Sequence, residues 1–266
     1  MWRAELHQLF RRTIVRVQLV VLFLIPVLLA VAVKLSGGPP AGSGPSFLDQ
    51  VAGNGVFDAL AGLTVCVPFL LPFTVAVVAG DTIAGEASLG TLRYLLVRPA
   101  GRVRLLAVKA VTVVVYCGAA ALSVAAGGLA AGAALFPMGP VIGLSGTPIP
   151  LADGIGRTLL AAVVAGASLL GLAAIGMFVS TLVNSPVGAM VITAGLVVAA
   201  LIVDNVPELA FAHPWVFSHD WLAFGDLLRT PVTWGGIVQD LALQAGYVAV
   251  FGAAAWARFT TRDVLA

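Results

Sequence analysis

The sequence predicts an all-α membrane protein with six transmembrane helices. Three observations carry this reading. Only 10 % of the 266 residues are charged and 60 % are hydrophobic, whereas a soluble domain carries about 25 % charge. Long windows hold no charge at all. These windows are continuously apolar, without the period-two alternation of a membrane β-barrel. So little charge cannot cover a soluble surface, which excludes a water-soluble enzyme, a nucleic-acid binder and a disordered chain. A net charge of +2 is too weak to draw an anionic polymer. Cys66 and Cys117 lie in apolar runs and read as small core residues, without disulfide or CxxC spacing.

A spanning helix needs about 20 apolar residues, and charge at the bilayer centre is costly, so the spans should fall between charges. The window from Arg16 to Lys34 holds 17 uncharged residues and gives a span over 17–35. A secretory leader is set aside because five more spans follow. The window from Asp58 to Asp81 holds 22 and gives a span over 58–80, which Pro68 and Pro72 should kink. The window from Lys109 to Asp153 holds 43; it gives a span over 105–136 followed by a Pro/Gly-rich loop at 137–150. The window from Arg157 to Asp204 holds 46 and is interrupted by Asn184-Ser185-Pro186, a turn signal. It reads as a hairpin of spans 157–183 and 186–203. The last window, Asp240 to Arg258, holds 17 and gives a span over 236–257. The chain is therefore read as one transmembrane domain over 1–266.

With both termini cytoplasmic, the inner segments carry 11 of the 14 Lys and Arg, leaving Lys34, Arg157 and Arg229 outside. The positive-inside rule selects this orientation. Residues 1–13 place Trp2, Leu6 and Phe10 at four-residue spacing among Arg3, Glu5, Arg11 and Arg12, the pattern of an interfacial amphipathic helix. The outer segment from Asp204 to Gly236 carries three prolines and three tryptophans, suited to short interfacial or re-entrant helices.

The inner loop between spans two and three reads as a helix over 83–97. Glu86, Gly90 and Arg93 fall on one side and Leu89, Leu92, Leu95 and Leu96 on another. Pro99 stops the helix, and Arg98, Arg102 and Arg104 hold the next span's start at the surface. On physical grounds an ordinary basic interface loop explains this about as well as a partner-docking helix.

Gly143-Leu144-Ser145-Gly146 matches the nucleophile pattern of rhomboid-type proteases. That chemistry needs a histidine base on a second span, and His7, His213 and His219 lie outside the spans. His213, His219 and Asp220 are ligand types for a metal, with a capping role favoured. Gly53-Asn54-Gly55 reads as a turn. Gly128 and Gly132 form a G-x-x-x-G, for which packing within the chain is favoured over a dimer face. Neither lysine ends a phosphate-binding G-x-x-x-x-G-K-[ST] loop, and no internal repeat is evident. Charge-free spans argue against a proton- or ion-coupled carrier and for a hydrophobic or amphipathic substrate.

Gly85-Glu86, Gly90-Thr91-Leu92-Arg93, Leu96 and Arg98-Pro99, followed by basic residues, resemble the coupling-helix region of type 2 ABC transporter permeases, the membrane subunits of ATP-binding-cassette exporters. The inner N-terminal helix, six spans, the long outer segment before the last span and the ending Arg258 to Asp263 extend the resemblance over most of the chain. The resemblance implies a permease subunit in a bacterial cytoplasmic membrane, pairing with a second permease chain, identical or homologous, and with two ABC ATPase subunits. Gly85, Glu86, Gly90, Thr91, Leu92, Arg93, Arg98 and Pro99 would meet the ATPases, with Glu86 and Arg93 as the polar contacts. This chain would be no enzyme and hold no cofactor; ATP and magnesium would sit on the partner subunits. A secondary transporter or channel without an ATPase is the alternative.

Overall fold

A computed structural model describes residues 2–36, 53–88 and 102–261. It is mostly helical, with six helical segments long and apolar enough to cross a membrane, the make-up of a multi-pass membrane protein. Helix α1 (Trp2–Arg11) precedes α2 (Thr13–Ser36). The second traverse is broken into α3 (Val56–Cys66) and α4 (Leu70–Ser88). The break at 67–69 contains Pro68, and Pro72 lies in the first turn of α4, so the expected kink is present where proline withholds its backbone donor. Helix α5 (Arg102–Leu135) follows, then a two-stranded hairpin, β1 (Val141–Ile142) with β2 (Pro148–Ile149), paired Val141 to Ile149. The fourth traverse is also broken, at Leu169, into α6 (Leu151–Ser168) and α7 (Leu170–Leu182). Helix α8 (Pro186–Asn205) begins after the expected Asn-Ser-Pro turn, with Ser185 Oγ accepting from Gly188 N as its N-cap. Residues 207–234 form three short 3-10 turns, Pro207–Leu209, His213–Trp215 and Ala223–Leu228. Helix α9 (Gly235–Thr261) closes the described chain.

Every helical traverse extends beyond its uncharged window. Asp58, Asp81, Lys109 and Asp240 therefore lie inside helices, where the sequence reading had used them as the limits of its uncharged windows. Six traverses return the chain to the end where it began, here termed the α1 end; the hairpin and the 207–234 segment occupy the far end.

The fourth traverse is the most enclosed, with 72 % of its apolar window buried against 17 % for α9. Helix α5 packs on α2, α3 and α6, while α7 packs on α4 and α9, and α8 closes against α4. Lipid supplies no hydrophobic drive between helices, so close backbone approach must supply dispersion contacts instead. Gly127 of α5 lies on the Phe23 carbonyl of α2, Gly128 on Ala59 of α3, and Gly132 on Gly55; a Cβ at any of the three would collide with backbone. The G-x-x-x-G stripe thus packs within the chain. Hydrogen bonds reinforce the same seams: Tyr116 Oη donates to Gln18 Oε1 at 2.9 Å, and Ser123 Oγ to the Leu19 carbonyl at 2.8 Å.

Candidate functional site

The α1 end is built around the last turns of α4. Ser180 of α7, fully buried, inserts its hydroxyl into the α4 ladder. Its Oγ donates to the Gly80 carbonyl at 2.6 Å and accepts from Ile83 N at 3.1 Å and Ala84 N at 2.9 Å. A side-chain group inserted between a helix's carbonyls and amides is a recognised cause of bending. Beyond it, Asp81 pairs with Arg12, at the junction of α1 and α2, and Glu86 pairs with Lys109 of α5. Glu5 of α1 reaches the same ammonium at 4.0 Å. Lys109 is 5 % exposed. A Cβ at Gly85 would run into the Asp81 carboxylate, so glycine there leaves room for the arm that reaches Arg12.

Helix α1 is docked by Leu9, its buried apolar residue, together with these charges, while Trp2 stays 56 % exposed. The expected stripe of Trp2, Leu6 and Phe10 is therefore only partly the docked face. The geometry also relocates Gly85 and Glu86. The sequence reading placed them in a separate interfacial helix; they belong to the last turns of α4, and Glu86 faces a buried lysine. Gly90, Thr91, Leu92, Arg93, Arg98 and Pro99 lie outside the described residues, as do Arg262 and Asp263 of the C-terminal pattern.

A second polar cluster fills the break in the fourth traverse. The Ser168 carbonyl accepts from Trp221 Nε1 at 2.9 Å, and Gly171 N donates to Gln244 Oε1 at 3.2 Å. Gln244 Nε2 donates to the Phe217 carbonyl and to Asp240 Oδ1, both at 2.8 Å, and Ser168 Oγ contacts Asp240 Oδ2. Asp240 and Asp58 are both 0 % exposed, and the Asp58 carboxylate has no hydrogen-bond partner among the described residues. Buried acids within spanning helices are thus present, contrary to the expectation of charge-free spans. Each stands near a helix start, and the sequence reading used it only as the edge of an uncharged window, although the spans 58–80 and 236–257 contain both.

The remaining candidates resolve by geometry. Ser145 Oγ accepts from Thr230 N at 2.9 Å in the turn of the β-hairpin, tying the hairpin to the 207–234 segment. Asn54 Nδ2 donates to the Gly139 and Pro140 carbonyls while Oδ1 accepts from Val56 N, so Gly53-Asn54-Gly55 is a turn that starts α3. His213 and His219 do come together, with Asp204 rather than Asp220 as the third member. A groove of about 260 Å³ between α5, α7 and α9 is walled by Leu106, Val113, Met177 and Trp256, with scarcely any polar lining.

A search among curated proteins finds no match for the chain. The profile of the family described as "Protein of unknown function (DUF2705)" matches residues 19–265, nearly the whole chain, and the protein belongs to that family.

Proposed function

We propose that this chain is the membrane-spanning permease subunit of an ATP-driven exporter, with both termini cytoplasmic and ABC ATPase subunits docking at the α1 end. The observation that carries the reading is the ion-pair lattice there. A coupling device must convey a push from a docked partner into the bundle. Helix α1 and the α4 end that leads into residues 89–101 are the segments the reading assigns to that docking. Arg12 with Asp81 and Lys109 with Glu86 fasten both segments to one another and to α5. The insertion of Ser180 just behind them gives the α4 end a point at which to bend relative to the rest of the traverse. The apolar groove between α5, α7 and α9 supports a hydrophobic or amphipathic substrate, and residues 207–234 would cap the outer end as re-entrant turns.

Full-length chain co-expressed with its genomic neighbours and purified in mild detergent tests this. The expected result is a co-purifying ATPase whose substrate-stimulated hydrolysis falls at least tenfold in Arg12→Glu and recovers in Arg12→Glu with Asp81→Arg. A half-exposed pair is worth only about 0–1 kcal/mol of stability, so such a loss would report coupling rather than unfolding. Purification of the folded chain with no ATPase under all these conditions would defeat the proposal.

The alternative, a secondary transporter, is favoured by one observation: the buried acids Asp58 and Asp240. An intramembrane carboxylate is a standard proton carrier. Proton flux in proteoliposomes without ATP, abolished by Asp58→Asn, would select it.

A further inference from the structure

At the far end of the bundle, Asp204 in the last turn of α8 meets His213 and His219 from the irregular segment that follows. One ligand-type atom from each lies within 4.8 Å of the other two. His219 Nδ1 is 2.5 Å from Asp204 Oδ1. His213 Nε2 lies 3.1 Å from the Val203 carbonyl and 3.2 Å from the Val206 carbonyl. Carbonyls only accept, so Nε2 is the donor in both contacts, and Nδ1 is the ring nitrogen left for a metal. This is the second-shell arrangement that orients a metal-binding imidazole and fixes its tautomer. The imidazole rings stand 5.6 Å apart, centroid to centroid.

Electrostatics points the same way. A carboxylate in the last turn of a helix faces the negative end of the helix dipole and is disfavoured there. Among the described residues, the only side chain paired with Asp204 is His219, a cation only when protonated. A divalent cation would neutralise both the carboxylate and the helix end.

We propose that Asp204, His213 and His219 form a binding site for a divalent first-row cation of the Zn²⁺ type, clipping the end of α8 to the far-end segment. Two imidazoles and a carboxylate are a donor set that Zn²⁺ accepts. Donors about 2 Å from a tetrahedral ion stand about 3.3 Å apart, so closing the site needs side-chain adjustment of about 1.5 Å or less. Three protein ligands leave one position open to water or an exogenous ligand. Asp220, the acid that the sequence offered, is not a member.

The test uses the full chain in detergent, carrying no polyhistidine tag and stripped with chelator, with Zn²⁺ and Co²⁺ as probes. One Zn²⁺ per chain is expected. The dissociation constant should weaken at least about 100-fold in His213→Gln and in His219→Gln and hold in His7→Gln and Asp220→Asn. Co²⁺ should give the ligand-field bands of a four-coordinate site. A variant-free readout runs alongside: Zn²⁺ should protect His213 and His219, but not His7, from diethyl pyrocarbonate in the native chain. Absence of stoichiometric binding, binding that survives both histidine changes, or equal modification of all three histidines with and without Zn²⁺ would overturn the proposal and leave Asp204–His219 a simple hydrogen bond.

Discussion

Replacing Lys109 by methionine removes a cation of closely matched length from a site that is 5 % exposed. Its ammonium faces Glu86, whose side chain is 14 % exposed, and Glu5, 21 % exposed at 4.0 Å. Charges 4 Å apart interact by about 4 kcal/mol at an effective dielectric of 20, against about 1 kcal/mol or less for a solvated surface pair. Breaking a buried pair from one side costs about 3–5 kcal/mol, because the opposing charge stays in place after its counterion has gone. We expect Lys109→Met to lose about 3 kcal/mol of unfolding free energy and Glu86→Gln about 2 kcal/mol. Glu5→Gln should lose less than about 1 kcal/mol, being farther away and wetter. The double change Lys109→Met with Glu86→Gln should cost far less than the sum of the two, leaving a coupling energy of about 2 kcal/mol. Equilibrium unfolding of the purified chain in mixed micelles, read by circular dichroism, closes the cycle. Strictly additive costs, or a Lys109→Met loss below about 1 kcal/mol, would refute the claim that this lattice holds the α1 end together.

Two further outcomes follow from packing and burial. Gly132→Val drives a branched side chain into the Gly55 backbone and should cost more than the 1–3 kcal/mol of ordinary overpacking, whereas Gly118→Ala, which meets nothing within 4 Å, should be neutral or stabilising by up to about 1 kcal/mol; the yield of monodisperse protein on size exclusion separates them. Asp58→Asn should raise the thermal midpoint in detergent, because a fully buried carboxylate without a partner among the described residues costs more to desolvate than an amide; a clear fall in the midpoint would mean that the ionised carboxylate stabilises the fold.

Much of the architecture is legible in the sequence because the bilayer penalises charge so strongly. The hairpin turn before Pro186, the kink at Pro68 and the helix at residues 2–11 all follow from local chemistry. The same logic misplaced the acids. Windows that begin at Asp58 and at Asp240 treat these acids as solvated markers, yet both are enclosed by neighbouring helices, information that only tertiary packing contains. Glu86 was misplaced for a related reason. Its spacing from Gly90 and Arg93 fits a surface helix, but its partner Lys109 stands 23 positions on, beyond any helical periodicity. Ser180 gives no sequence signal, since a serine in an apolar run ordinarily bonds within its own helix. The far-end cluster was half visible: the two histidines were evident, and their third member lay on the preceding helix.

The broken fourth traverse has a consequence for opening. At that break the helix's own bonding is interrupted, and Trp221 and Gln244 serve the Ser168 carbonyl and the Gly171 amide in its place. Lifting residues 207–234 away alone would strip the carbonyl of its donor deep inside the protein, and parting α9 from α7 would strip the amide of its acceptor. Each loss costs several kcal/mol where water is absent. The far-end segment and the centre of the bundle are therefore geared together. Any opening at that end must either turn α6, α7 and α9 as one body with the segment above them, or admit water to the break.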